Sequence, residues 1–344
     1  MRPRGPWLAA AALAALAGGL FLLRPRPVPP AAPAAPVDPV QPARFEIVSG
    51  VLDGPRVSRR AVLAFDDGLD AVLHEESVFR AERVGAELVF RLDAGRLFVD
   101  GGVDVRVITP HGHATARASA FDVAITERGT SVTVLQGAAV VVGNPFRKEI
   151  TRGEALDLSA AGGVGEPISL DPTAAVEWAR GALDAANLVR DGGFEEELAR
   201  WDAPQYPETA VRADRRAHYG RRSAYVVFNA IADYRHASPR SMPFSVPAGA
   251  RLRFRGYVEV TNLEAGPEGG GYLEIRDEND VPLPGGRSPL YAGAAGWRKF
   301  SIDLDVPSGL RDARVVCAKA DNGAPILGTL RLDDVAVFPL PGKP

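Results

Sequence analysis

Phe121-Asp-Val-Ala-Ile-Thr-Glu-Arg-Gly-Thr-Ser-Val-Thr-Val-Leu135 holds two five-residue runs, 121–125 and 131–135, in which apolar and polar side chains alternate. A period of two sends successive side chains to opposite faces, so both runs read as half-buried β-strands, with Phe121 and Val123 turned to a core. Asp104-Val-Arg-Val-Ile108 and Ala155-Leu-Asp-Leu158 repeat the device, and Gly and Pro punctuate the interval. Helical periodicity is absent there. Residues 44–165 therefore read as an all-β domain whose strands return through short turns.

Downstream the pattern changes once and then returns. Asp171-Pro172-Thr173 is a helix start, Asp as N-cap and Pro at the first position, and Val176, Ala179, Leu183 and Ala186 recur three or four apart. One short helix, 171–186, is expected to connect the domains and to pack on one of them. From Asn187 strands resume. Leu252, Phe254, Gly256, Val258 and Val260 alternate with Arg251, Arg253, Arg255, Tyr257 and Glu259, and Phe300, Ile302, Leu304, Val306 with Leu330 and Leu332 do the same. With Pro, Gly, Asn and Asp turns between them, residues 187–344 read as a two-sheet sandwich of about eight strands.

Upstream, Trp7 to Leu23 is a 17-residue uncharged run between Arg2, Arg4 and Arg24, Arg26. At about 1.5 Å per residue it just spans a hydrocarbon layer of roughly 30 Å, so residues 1–27 read as a transmembrane anchor or a signal segment. An uncleaved anchor in the inner membrane, with the body in the periplasm, is the favoured reading. Cleavage at Ala15-Leu16-Ala17 and secretion is the alternative. Residues 28–43, with a proline every two or three positions, read as an extended polyproline spacer that takes no part in a sheet.

Composition narrows the function classes. The 344 residues carry a net charge of −3, which provides no field for nucleic acid. Only four of the 40 basic residues are lysine, a bias of GC-rich bacterial genomes. A single cysteine, Cys317, excludes an internal disulfide and a multi-cysteine zinc site, and its Val315-Val-Cys-Ala-Lys319 setting is that of a buried strand. His111-Gly-His113 lacks further ligands nearby and reads as a pair of exposed turn histidines. Asp277-Glu-Asn-Asp280 reads as a turn. No nucleophile with a base, carboxylate pair or phosphate loop is legible, so no catalytic residue is assigned.

Two resemblances follow from ordered blocks. Phe65-Asp-Asp-Gly68, Leu92-Asp-Ala-Gly-Arg-Leu97, Val107-Ile-Thr-Pro-His-Gly112, Ala118-Ser-Ala-Phe-Asp-Val123, Val132-Thr-Val-Leu-Gln-Gly137 and Thr151-Arg-Gly-Glu154 resemble the FecR domain, found in periplasmic parts of iron-responsive sigma-factor regulators and in other exported proteins. Where that family has G-T-x-F, this chain has Ala118-Ser-Ala-Phe121. Such regulators place a helical cytoplasmic segment before the membrane span. Six residues precede the apolar run here, so the chain is expected not to act as an anti-sigma factor by itself.

Asn187-Leu-Val-Arg-Asp-Gly-Gly-Phe-Glu195 with Trp201, Tyr219-Gly-Arg-Arg-Ser223, Gly296-Trp-Arg-Lys-Phe300 and Leu330-Arg-Leu-Asp-Asp-Val335 resemble the galactose-binding-like, carbohydrate-binding-module-like jelly rolls. That resemblance implies a structural calcium where the first and last strands meet, held by Glu195 and by Asp333 or Asp334. It also implies a glycan site on exposed aromatics. Tyr257, alternating with arginines on a solvent-side face, is the ligand candidate, with Tyr234, Tyr272 and Tyr291 on turns or strand starts and Trp201 and Trp297 in the core. The Arg251, Arg253, Arg255 comb is expected to be a solvated face. The combined expectation is a non-catalytic, membrane-anchored envelope protein that binds a protein or glycan. A signalling subunit working with a separate anti-sigma system, and a cryptic glycan hydrolase, are the alternatives.

Overall fold

Phe121, Val123, Val132 and Val134, the inward members of the 121–135 pattern, are each 1% exposed or less. The computed structural model, which describes residues 40–161, 163–204, 209–229, 238–320 and 325–341, pairs their strands, Ala120–Thr126 and Gly129–Gln136, antiparallel. All expected strands of the first body are present, as Asp104–Thr109, Ala120–Thr126, Gly129–Gln136 and Glu154–Ser159. One hydrogen-bonded sheet links fifteen strands from Val40 to Ser169, every pair antiparallel except Glu87–Ala94 with Asp104–Thr109. It encloses a core that includes Phe65, Phe90, Phe121, Leu63, Leu73 and Leu88. Gly137, at φ +76°, shows why a block ends in glycine: a Cβ there would lie 2.3 Å from Ser119 Oγ.

The spacer expectation is corrected at its last residues. Val40–Pro42 forms a strand against Val78–Val84, with Val40 opposite Val84 and Pro42 opposite Glu82. Proline lacks a donor, but on an edge strand only one side of the backbone needs partners, so the ladder tolerates it. The expected anchor, residues 7–23, lies outside the described residues. No helix among the described residues is long and apolar enough to cross a membrane.

The helix runs Pro172–Ala186, with the Asp171 carboxylate accepting the Thr173 N–H at 2.9 Å. It packs on both bodies rather than one. Val176, Ala179 and Leu183 join a cluster that takes Val62, Val72, Phe98, Ala120 and Leu135 from the first body and Tyr219, Tyr257, Ala336 and Phe338 from the second. The reason lies partly on the outer face of the first sheet. Arg96 and the Trp178 indole N–H both bond Asp122, and Arg60 and Arg96 donate to the carbonyls of Trp178 and Ala175. Asp122 is therefore buried on what the alternation marks as the wet face; burial pushes its carboxyl up to about 6, against Arg96 and Trp178.

The second body is a sandwich of a six-stranded and a five-stranded sheet, eleven strands where about eight were expected. Several of the extra ones are two-residue pairings such as Trp201–Asp202 and Phe244–Ser245. The five-stranded sheet runs Thr209–Asp214, Ser223–Asn229, Ile326–Leu340, Arg251–Ala265, Gly293–Asp305. Phe254, Phe228, Phe194 and Trp201 lie in the core between the sheets. The opening and closing blocks do meet, through hydrogen bonds: Leu188 N–H to Val337 O, Val335 N–H to Gly192 O, and the Asn187 amide to Val335 O. Gly192 is required there, because a Cβ would lie 1.8 Å from Val335 O.

Candidate functional site: the outer face of the five-stranded sheet

Strand Arg251–Ala265 sends Leu252, Phe254, Val258 and Val260 inward, as its alternation dictates, and Arg251, Arg253, Arg255, Tyr257 and Glu259 to the opposite face. That face is not solvated along its first half. The first body covers it, leaving Arg253 and Arg255 at 2% and 3% exposure and Tyr257 at 3%. The comb and Tyr257 are thus corrected from a solvent-side face to a buried junction. Alternation identifies the face that leaves one core, and it carries no information about a second body packed on that face.

The covered half is a charged latch. Arg255 Nη1 donates to Asp70 Oδ2 at 2.9 Å and to Asp100 Oδ2 at 3.0 Å, across the junction. Lys299 Nζ donates to Asp70 Oδ2 at 2.7 Å and to the Asp100 carbonyl at 2.9 Å, and the Tyr257 hydroxyl donates to Asp100 Oδ1. Arg251 adds a bond to Glu46 at 2.6 Å. Burial opposes ionisation of Asp100, yet Lys299, then Arg255 and the Tyr257 hydroxyl, outweigh it and hold its carboxyl below the usual range. Two anions and two cations taken out of water are stable only while all partners stay.

Beside the latch, His218 stacks on Tyr257 with ring centroids 3.4 Å apart. Its Nδ1 lies 3.1 Å from Asp334 Oδ2 and its Nε2 lies 2.5 Å from Oε1 of Gln136, in the first body. Burial pulls the imidazole below its usual pKa against the raising effect of Asp334 and Asp100.

Asp333, Asp334 and Glu195 all lie around the helix residue Arg180. Asp333 Oδ2 accepts the His218 and Tyr219 N–H groups at 2.6 and 3.2 Å, and its Oδ1 accepts the Asp334 N–H at 2.9 Å. Glu195 Oε1 lies 3.6 Å from Arg180 Nη2 and accepts the Arg221 N–H at 2.8 Å. A guanidinium thus stands among the carboxylates to which the resemblance assigns calcium, and backbone donors engage both Asp333 oxygens and Glu195 Oε1. As placed, these residues do not fit a calcium shell, which takes six to eight free oxygens. Among the described residues no group of three or more His, Cys, Asp or Glu is arranged to hold a metal.

The other singled-out residues fall as follows. Tyr272 and Tyr291 are buried, and Tyr234 lies outside the described residues. Trp201 is core, whereas Trp297 is half-buried in the junction cluster, 5.7 Å from the His218 ring. His111 and His113 are half-buried rather than exposed, and His111 Nδ1 bonds Thr130 at 2.9 Å. Asp277 closes the expected turn by accepting the N–H groups of Asn279 and Val281. Cys317 is fully buried, and burial pushes its thiol up to about 12.

The second half of the face is open. Across four strands it sets Arg212, Tyr225, Arg331 and Glu259 in one row, with Ala210, Val227, Thr329 and Thr261 in the next. Arg212 and Arg331 lie over the Tyr225 ring at 4.6 and 4.7 Å, one from each flanking strand. Arg331 donates to Asp214 at 2.7 Å and to Glu259 at 2.9 Å, and Arg216 reaches the other Glu259 oxygen at 2.5 Å. Sequence reading missed this row and the latch acids Asp70 and Asp100. The only available signal for Tyr225 was the alternation of Ser223–Asn229, which marks it as outward.

Fold and site together define a two-body all-β protein whose second body is a jelly-roll sandwich locked to the first by buried charge. Residues 56–140 match the family model described as FecR protein, so the first body contains a FecR domain. No curated protein matches the chain. Among solved structures it is similar to a Parabacteroides distasonis ATCC 8503 protein described as an anti-sigma factor, at 17% identity and a TM-score of 0.33, over 38% of this chain and 64% of that one. The chain thus spans less than two thirds of that structure. It is also similar to the CBM22-1 xylan-binding domain of Paenibacillus barcinonensis Xyn10C, at 16% identity and a TM-score of 0.29, over 44% of this chain and 94% of that one. A third similar structure is TmCBM61 in complex with β-1,4-galactotriose, at 17% identity and a TM-score of 0.31, over 44% of this chain and 98% of that one.

Proposed function

We propose that this chain is a non-catalytic protein of the bacterial envelope, anchored in the inner membrane by residues 7–23 with its body in the periplasm, and that its FecR domain and jelly roll act as one binding unit for an envelope protein or glycan. The observation that supports this most directly is the latch. Asp70 and Asp100, both buried at the junction, are each held by Arg255 and Lys299, an arrangement suited to fixing two bodies together rather than to proton transfer in hydrolysis. With half of the jelly-roll face spent on docking, ligand recognition falls to the surfaces both bodies leave open.

The test uses the full chain. Membranes from expressing cells are washed in high salt, spheroplasts are treated with protease, and the detergent-extracted protein is mixed with envelope fractions and sedimented. The expected result is salt-resistant membrane association, digestion of the body from the periplasmic side, and co-sedimentation with an envelope fraction that weakens in Arg255→Met. A protease-resistant body in intact spheroplasts, or no co-sedimentation with any fraction, overturns the reading.

A second reading, a signalling subunit working with a separate anti-sigma protein, is supported by the FecR match. Deletion of the gene would then change a sigma-dependent reporter.

A further inference from the structure

We propose that the open row Arg212–Tyr225–Arg331–Glu259 on the five-stranded sheet is a binding site for an acidic polysaccharide, one bearing a carboxylate on its sugar units. This rests on the reading of the chain as an envelope-binding protein and names the ligand class and the place.

The row is a built surface. Glu259, with its side chain 4% exposed, holds Arg331 through one oxygen and Arg216 through the other, and Asp214 takes Arg331 Nε. These bonds fix the Arg331 guanidinium while leaving its Nη2 without a hydrogen bond among the described residues. Arg212 is exposed, with neither an ion pair nor a hydrogen bond from its guanidinium among the described residues, and the Tyr225 hydroxyl is likewise without a partner there. An exposed guanidinium fork with no hydrogen-bond or ion-pair partner among the described residues is the donor a carboxylate takes in bidentate fashion, and the fixed Arg331 adds a second positive charge to the row.

Charge points the same way. Arg212, Arg215, Arg216 and Arg331 face only Asp214 and Glu259 in this row and the turn that follows Asp214, an excess of cations in a chain that is negative overall. The placement of the two guanidiniums over Tyr225, one from each flanking strand, also decides against a neutral sugar. Two guanidiniums already lie over the ring, so a pyranose stacking on it has to displace them, and recognition passes to charge and hydroxyl contacts. Thr261, in the neighbouring row, accepts from Arg331 through its Oγ1 at 3.4 Å and keeps its hydroxyl hydrogen for a ligand alongside. Three inter-strand steps of about 4.8 Å make the row roughly 14 Å long, an extended track suited to a chain rather than a single small anion.

The experiment is affinity electrophoresis of the detergent-solubilised full chain in native gels containing polygalacturonate, neutral galactan or polyglutamate. Polygalacturonate is expected to retard the wild type, with the effect lost at about 0.5 M salt. Neutral galactan should have no effect. Arg212→Ala should weaken retardation about tenfold or more, as expected for loss of a charge-assisted contact, and Tyr225→Phe should weaken it less. Arg117→Ala, an exposed arginine of the first body, should leave it unchanged and shows that loss of one surface arginine is not enough. Absence of retardation, equal retardation by galactan or polyglutamate, or full retention in Arg212→Ala overturns the proposal. Co-sedimentation with an envelope fraction without polygalacturonate binding removes this site while leaving the broader function standing; loss of both removes both.

Discussion

Replacing Arg255 by Met removes the central cation of the junction while keeping a flexible stem of similar length against Phe338, over whose ring the guanidinium lies at 5.0 Å. What remains is Asp70 and Asp100, with side chains 1% and 2% exposed, and Lys299 as the one cation within 4 Å of either carboxylate among the described residues. Lys299 is close to Asp70 at 2.7 Å but lies 3.5 Å from Asp100 Oδ2, so the Asp100 carboxylate loses its nearer charge partner and keeps the Tyr257 hydroxyl. Removing one member of a buried ion cluster costs on the order of 3–5 kcal/mol, because the orphaned charge stays in a low-dielectric site. Each kcal/mol lost here bears on the contact between bodies rather than on either core. Urea unfolding followed by tryptophan fluorescence is the assay, since Trp178 and Trp297 sit in the junction cluster and Trp201 in the sandwich core. The expected outcome is that the junction signal moves to lower urea and separates from the core signal. Adding Asp70→Asn and Asp100→Asn to Arg255→Met should recover part of the loss by removing the stranded charges. A change below about 0.5 kcal/mol in Arg255→Met, an ordinary surface effect, would refute the claim that buried charge holds the bodies together.

Three further outcomes are expected. Gly192→Ala should destabilise the sandwich by several kcal/mol, on the order of a core defect, because its Cβ would lie 1.8 Å from Val335 O; a normal melting temperature by circular dichroism would show that the two ends shift apart freely. Asp122 is protonated more readily folded than unfolded, with a carboxyl pushed up to about 6, so its stabilising contribution is full at low pH and is lost as pH rises from about 4 through about 6. The difference between wild type and Asp122→Asn in denaturant unfolding should change by about 3 kcal/mol across that window, and a flat difference would contradict the assignment. Calcium and chelator should give the same melting temperature for the wild type, since Arg180 and backbone amides engage Glu195 and Asp333; a calcium-dependent rise would mean the ion displaces Arg180.

The strands around 121–135 and 251–260 were legible because each buries one face against its own core, and a two-residue period in the chain records that burial directly. The helix start at Asp171-Pro172 was legible for a similar reason: capping uses neighbours in sequence. The FecR blocks were legible as ordered motifs at turns and strand ends. What the chain could not record is the second use of an outer face. Arg255 meets Asp70 and Asp100 across 185 and 155 residues, and His218 meets Gln136 across 82. Polar residues on a strand read the same whether water or a second body lies over them, so Tyr257 was placed in solvent and the junction went unseen. Tertiary packing decided which half of that sheet became a latch and which half stayed open, because the free energy of a charged side chain depends on the partners brought to it through space, not on its neighbours along the chain.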